Sequence, residues 1–314
     1  MSRKRIAFLF PGQGAQYIGM AKEFYQNYSA TRELFEEAEE HLGLSLCKVI
    51  FEGPESELTE TKMAQVALFV SSIGIMRAVQ REFPEFKPLY TSGLSLGEYT
   101  AAVAAGLISF KAGLPLVAER GRLMNEACIR HPGAMAAVLG LEGDLVEEIV
   151  RAVNLPNDLW VANLNCPQQV VISGTELGIA KGSEALKGRG AKRVIPLNVH
   201  GAFHSGLMRS ATWGLEGHLA DLPIMESSVG FVMNVPGDFV SSVPLIRRYL
   251  GEQVVSPVRW ERGVRAMDAK GVDLFVELGG KTLLGFNKRM GLNASTCSIE
   301  RPSDLVGLSE ALNG

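Results

Sequence analysis

Apolar positions along the chain change period several times, and the changes divide it into units. Residues 5–10 form a short apolar run, the length of a buried strand, which stops at Pro11-Gly12-Gln13-Gly14-Ala15-Gln16. Over 20–46 and again over 63–83 apolar residues recur at three- and four-residue spacing, which predicts long core helices. Residues 86–90 read as a second short strand, the Ala-rich stretch after Gly97 as a helix, and 111–130 as a helix in spite of Pro115. The rhythm then shortens. Strand-like runs at 133–141, 159–162, 169–173 and 193–199 enclose helical segments at 144–153 and 177–187. Beyond them come helices at 207–219, 243–251 and 261–270, with strands at 229–233 and 274–277, the latter predicted to be the last.

The order of 131–199 is β-α-β-β-α-β, the ferredoxin-like arrangement. It predicts a small subdomain, 131–199, inserted into a large α/β subdomain made of 1–130 and 200–314. Composition adds exclusions. Of 314 residues, 46% are hydrophobic and 21% charged, and 34 acids against 31 bases give a net charge of -3, which does not suit a nucleic-acid partner. No apolar run approaches the roughly 18 uninterrupted residues of a membrane span, and the start, MSRKRIAFLFPGQG, reads as a first strand rather than a signal peptide. Cys47, Cys128, Cys166 and Cys297 are scattered without CxxC or metal-ligand spacing, which fits reduced thiols in a cytoplasm and no metal site.

The stretch TSGLSLGEYTA, with Ser95 at its centre, carries the sharpest chemistry. G-x-S-x-G at the join of a strand and a helix is a nucleophile elbow: the serine is exposed on a tight turn and the amides opening the helix face a developing oxyanion. A serine needs a base, and five histidines are available. His200 and His204 share one loop at a strand end, where open α/β sheets place their chemistry; His204 is the preferred base and His200 stays a competitor. His41, His131 and His218 have no chemical neighbours. No acidic residue stands out between Ser95 and His204, so the imidazole would be oriented by a backbone or amide oxygen. Gln13 and Gln16 have local turn bonding as their plain reading, and Arg120 and Arg122 a solvated helix face. Gly12-x-Gly14 lacks the third glycine and the lysine of nucleotide loops.

FLFPGQGAQYIGM, GLSLGEYTA, ERGRLMNEA, NLNCPQQVVISG, GAFHSGLM and EQVVSPVRW occur in the order and approximate spacing of malonyl-CoA:acyl carrier protein transacylases, and over most of its length the chain resembles that family. The resemblance implies an α/β-hydrolase-like large subdomain with an inserted ferredoxin-like small subdomain. It implies an [acyl-carrier-protein] S-malonyltransferase: malonyl passes from malonyl-CoA to a serine and then to the phosphopantetheine thiol of acyl carrier protein. By the same resemblance Ser95 is the nucleophile, His204 the base, and Gln253 the residue whose carbonyl orients the base. Gln13 and Leu96 supply oxyanion-hole amides, and Arg120 binds the free carboxylate of malonyl, where a guanidinium fork would favour malonyl over acetyl.

Leu94 stands where the family's commonest elbow, GHSxGE, has histidine; this bears on acyl selectivity, not on transfer. Lys192 and Arg193 are candidates for coenzyme A phosphates or an acidic carrier helix, or form a solvated basic pair. No cofactor is expected beyond malonyl-CoA as substrate, and the expectation is a cytoplasmic monomer whose partners are that substrate and the carrier, with no membrane. Alternatives at this level are a stand-alone polyketide-line acyltransferase, a serine esterase or thioesterase, and a non-catalytic binding module.

Overall fold

The computed structural model describes residues 4–313, so the first three residues of the basic head lie outside the described part. Among the described residues ten strands form two sheets: β1 Ile6–Phe10, β2 Tyr90–Gly93, β3 Ala134–Leu139, β4 Leu159–Cys166, β5 Gln169–Gly174, β6 Arg193–Pro196, β7 Gly230–Met233, β8 Asp238–Phe239, β9 Leu274–Leu278 and β10 Ser295–Ile299. The larger sheet runs β10-β9-β1-β2-β7-β8 and is parallel except for the β7-β8 pair. Its central strand β1 is buried throughout, as a strand covered by helices on both faces must be.

The smaller sheet is antiparallel in the order β4-β5-β3-β6. With its helices Gly143–Val153 and Glu176–Gly188 it is the β-α-β-β-α-β unit of the sequence pattern. Period 2 divides its faces. Ala136, Val138, Val170 and Ile172 pack under the two helices in a core of their own, whereas Met135, Ala137, Gln169 and Val171 point the other way and line a cleft against the larger sheet. Backbone bonds Leu164 N–H to Val258 O (2.9 Å) and Val258 N–H to Ala162 O (2.8 Å) tie the two units together.

Several expected boundaries move. The second strand is Tyr90–Gly93, not 86–90: Pro88 has no N–H to give a ladder and constrains Lys87, so pairing with β1 begins at Tyr90. The helical stretch 20–46 is two helices, Lys22–Asn27 and Ser29–Leu42, separated by Tyr28 in an extended conformation, and a further helix Leu46–Glu52 follows. β9 is not the last strand, because β10 adds in parallel at the sheet edge; its mostly polar, half-exposed residues hide it from a search for apolar runs.

The helix Thr61–Glu82 is long and apolar enough by composition to cross a membrane, and 89% of its most apolar window is buried inside the protein. It packs against Ser29–Leu42 and Phe110–Arg130, which accounts for its apolar surface. Where it meets Phe110–Arg130, Gly121 lets the backbones close up: a Cβ there would lie 3.0 Å from Lys62 Cα.

The carboxyl edge of the larger sheet assembles the loops that matter. Phe10 lies beside Gly93 in register, so the loop after β1 and the turn after β2 are neighbours. At Gly97 an added Cβ would stand 2.1 Å from Phe10 O. Gly97→Ala is therefore expected to destabilise by about 1–3 kcal/mol in urea unfolding. Gly217→Ala, on the exposed side of the helix Arg209–Ala220 with nothing within 4 Å, should instead stabilise by about 0.5–1 kcal/mol.

Candidate active site

Ser95 occupies the single residue between β2 and the helix Gly97–Ala104 that takes a left-handed backbone, φ 52°. Such a conformation costs a non-glycine residue on the order of 1–3 kcal/mol and persists only where its surroundings enforce it. Here they do. Asn234, immediately after β7, accepts the Ser95 N–H at 2.7 Å through Oδ1 and donates from Nδ2 to Gly93 O at 2.7 Å. Leu94 N–H donates to Phe10 O at 3.0 Å. The result is a half-buried hydroxyl held clear of the sheet edge.

His204 reaches that hydroxyl from 109 residues downstream, with Nε2 2.9 Å from Ser95 Oγ. Its backbone is also left-handed, φ 57°. On the other side of the ring Nδ1 lies 2.7 Å from the carbonyl oxygen of Gln253. A carbonyl only accepts, so Nδ1 carries the hydrogen and Nε2 is left free to accept from the serine. Burial disfavours the imidazolium, and Arg120 repels it, against partial support from the Gln253 carbonyl; together they bring His204 down to about 4. The ring is therefore neutral over the whole neutral range.

Arg120 is not on a solvated face. It is 1% exposed. One terminal nitrogen donates to Gln65 Oε1 at 2.6 Å, the other to Gln253 Oε1 at 2.6 Å and to Ser95 Oγ at 3.1 Å. These three partners are uncharged, and among the described residues Nε has no partner. The guanidinium lies 5.2 Å above the ring of Tyr99, a cation–π contact in a dry setting. Burial lowers its pKa, yet arginine stays charged at any pH of interest. Arg122, by contrast, is exposed and pairs with Glu119 and Glu126.

Ser95, His204 and Arg120 line one cleft of about 560 Å³ between the two sheets. Gln13 and Leu96 line it too; Leu96 caps the helix Gly97–Ala104, whose open end carries partial positive charge. Gln13 donates from Nε2 to Thr61 Oγ1 at 3.3 Å, and Gln16 closes a turn onto Gly14 N–H, the plain role foreseen for it. Gln253 is fully buried behind the histidine. His200 borders the cleft but is exposed, and the bond to Ser95 is made by His204. Leu94 lines the wall beside the nucleophile. Lys192 and Arg193 are exposed and lie outside the lining.

Sequence reasoning missed Asn234, Gln65 and Glu98. Asn234 and Gln65 carry no motif. Glu98, in GLSLGE, sits inside the elbow pattern itself, which is the signal that could have found it.

Comparison with known proteins agrees with this geometry. Residues 7–302 match the acyl transferase domain family. The malonyl CoA-acyl carrier protein transacylase of Bacillus subtilis (strain 168) is 44% identical over 305 residues, covering 96% of this chain and 95% of that one. The chain belongs to that family. The crystal structure of an acyl-carrier-protein S-malonyltransferase from Burkholderia pseudomallei 1710b superimposes with a TM-score of 0.92 at 38% identity, covering 99% of this chain and 100% of the other. The transacylase of Clostridium perfringens gives 0.93 at 34% identity, with 98% and 97% covered. A malonyl-transacylase solved in complex with its type II PKS acyl-carrier protein gives 0.92 at 34%, with 98% and 99% covered. Coverage this complete extends to both sheets, so the family shares the two-part layout and not only the elbow.

The depressed basicity of His204 has a sign that can be checked. The unfolded chain takes up its proton near pH 6.5, the native chain only near 4, so the stability this group confers is present above about 6.5 and is lost as pH falls through about 4. In an NMR titration the His204 ring resonances are expected to stay in the neutral Nδ1–H form down to about pH 5; a midpoint near 6.5 would contradict the buried setting.

Proposed function

We propose that the chain transfers a malonyl group from malonyl-CoA to the phosphopantetheine thiol of acyl carrier protein, in two half-reactions joined by a malonyl ester on Ser95. The observation that carries this reading is a buried guanidinium, held by uncharged partners only, whose hydrogen bond touches the same serine oxygen that the histidine touches. In a malonyl ester the free carboxylate sits two carbons from the ester oxygen, so an arginine in contact with Ser95 Oγ is within reach of it.

In the first half-reaction Ser95 Oγ attacks the thioester carbonyl while its proton passes to His204 Nε2. The amides of Gln13 and Leu96 are assigned to the oxyanion, on the strength of their position at the loop after β1 and the opening of the helix. The imidazolium is unfavourable at rest, for the reasons that lower its pKa, and becomes tolerable only beside the forming negative charge; the Gln253 carbonyl holds it in place. Breakage of the C–S bond returns the electron pair to sulfur, and His204 gives its proton to the departing coenzyme A thiol. In the second half-reaction the carrier thiol loses its proton to His204, attacks the malonyl ester, and Ser95 leaves with that proton restored.

The chemistry needs no cofactor in this reading, and the partners are malonyl-CoA and the carrier protein. Support for the carrier comes from the similarity to the transacylase solved with its acyl-carrier protein. A cytoplasmic setting agrees with four cysteines that are all free thiols. Arg120 distinguishes the reading from a plain esterase, which has no use for a buried cation facing the acyl group.

Intact-protein mass after brief exposure to malonyl-CoA tests it. The native chain should gain one malonyl group and Ser95→Ala none. Arg120→Ala should lose malonyl loading roughly a hundredfold relative to acetyl loading, the size of a broken buried charge pair. Equal loss of both acyl groups would remove the carboxylate-binding role from Arg120.

A further inference from the structure

Glu98 has no part in the mechanism above, yet it is fully buried one turn from the nucleophile, in the helix Gly97–Ala104. Its Oε1 accepts the backbone N–H of Asn234 at 2.5 Å and its Oε2 accepts from Nε2 of Gln253. Burial pushes the carboxyl up to about 7, while both of these bonds and the charge of Arg120 favour its ionised form. An ionised carboxylate offers acceptors only. The end of the Gln253 carboxamide that faces it is the NH2, since the second hydrogen of that group reaches the carbonyl oxygen of Ser95 at 3.0 Å and a carbonyl only accepts.

The consequence appears at the far end of the same amide. With NH2 toward Glu98, the amide oxygen is turned toward Arg120, which donates to it at 2.6 Å. A flipped carboxamide would set oxygen against the Glu98 carboxyl and the Ser95 carbonyl and NH2 against guanidinium, unfavourable contacts for Glu98, Gln253 and Arg120, which are all buried. The carboxylate also ends a buried chain of charge, Arg120 to Gln253 to Glu98, that begins with a cation.

We infer that Glu98 is a specificity-determining positioning residue: by anchoring the NH2 end of the Gln253 carboxamide beside Ser95 O, it keeps the amide oxygen on Arg120 and so holds the guanidinium ready for a carboxylate-bearing acyl group. This rests on the reading that Arg120 takes the malonyl carboxylate. The arm through Asn234 is separate, since Asn234 braces the backbone of Ser95 and Gly93 and so bears on all acyl groups alike.

Substitution by glutamine separates the arms. Glu98→Gln keeps an oxygen for the Asn234 N–H and places an NH2 against the NH2 of Gln253, which removes the anchor, pushes the carboxamide out of its place and weakens the acceptor it offers Arg120. Gln253→Ala removes the carboxamide and keeps the backbone carbonyl that His204 needs. Native chain, both single variants and the double variant are loaded from an equimolar mixture of malonyl-CoA and acetyl-CoA, and the ratio of adducts is read by intact mass, with melting temperatures recorded for each.

Glu98→Gln is expected to lower the malonyl-to-acetyl ratio roughly tenfold or more, the loss of one charge-assisted hydrogen bond. Gln253→Ala should lower it to a similar extent, and the double variant no further than either. A merely structural glutamate would lower the melting temperature and both loadings without moving the ratio. An unchanged ratio in folded Glu98→Gln, or a double variant that multiplies the two losses, overturns the inference. If Glu98→Gln does not fold, Gln253→Ala decides alone, an unchanged ratio again overturning it. Arg120→Ala in the same assay keeps the two readings apart: if it lowers the ratio and Glu98→Gln does not, only the role of Glu98 falls; if neither moves it, the carboxylate-binding role falls as well.

Discussion

A left-handed backbone at Ser95 is the constraint from which the rest of the molecule can be understood. The conformation is unfavourable for any residue with a Cβ, so the chain has to be forced into it and kept there. The forcing is steric as well as polar. Gly93 and Gly97 approach so closely that a Cβ on Gly93 would lie 2.0 Å from the Gly97 carbonyl carbon, and one on Gly12 would lie 2.5 Å from Leu94 O. Asn234 then clamps the turn from the neighbouring strand. A serine held this way cannot swing into the sheet, and its hydroxyl has one place to be: between an imidazole and a guanidinium.

Around that hydroxyl the protein buries groups that would each be costly alone. Arg120, Glu98 and His204 are all removed from solvent, and their protonation behaviour follows from it: the carboxyl is pushed up and the imidazole down. Gln253 makes the arrangement tolerable. Its carboxamide joins Arg120 to Glu98 and its backbone carbonyl orients the His204 ring, so one neutral residue serves three others. Low polarity in the surroundings makes each of these bonds stronger than it would be in water and makes a missing one correspondingly harder to accommodate. A guanidinium whose hydrogen-bond partners here are all neutral is open to an anionic group, and the proposed preference for malonyl rests on that.

The small antiparallel sheet completes this picture by closing the cleft from above. Its strands alternate, one face packed under two helices and the other turned toward the nucleophile. Asn163 and Asn165 come from β4, whose pairing with β5 shifts register twice along its length. Those irregularities re-aim the end of the strand, as bulges beside active sites commonly do. Ser95 on one subdomain and a polar wall on the other form a single pocket because the backbone bonds at Val258, with Arg289 bonded to Gln169 and Pro167, fix the two together.

The amino-acid sequence by itself determined what depends on near neighbours. The elbow announces itself because strand, turn and helix are contiguous and the glycine spacing is imposed by local sterics. The small subdomain is legible because alternation and helical spacing are properties of short windows. Resemblance of ordered blocks added the expected roles of Gln253 and Arg120, neither of which periodicity could have chosen; by pattern alone Arg120 reads as a surface charge, and His204 is preferred as a base with His200 still competing. Only the tertiary structure decided what depends on contacts across the chain. Asn234 meets Ser95 across 139 positions, Gln253 meets Glu98 across 155, and Gln65 meets Arg120 across 55. No window spans such distances. Hydrogen-bond polarity, unlike hydrophobic periodicity, leaves no repeating trace along the chain, and it exists only once the fold has brought donor and acceptor together.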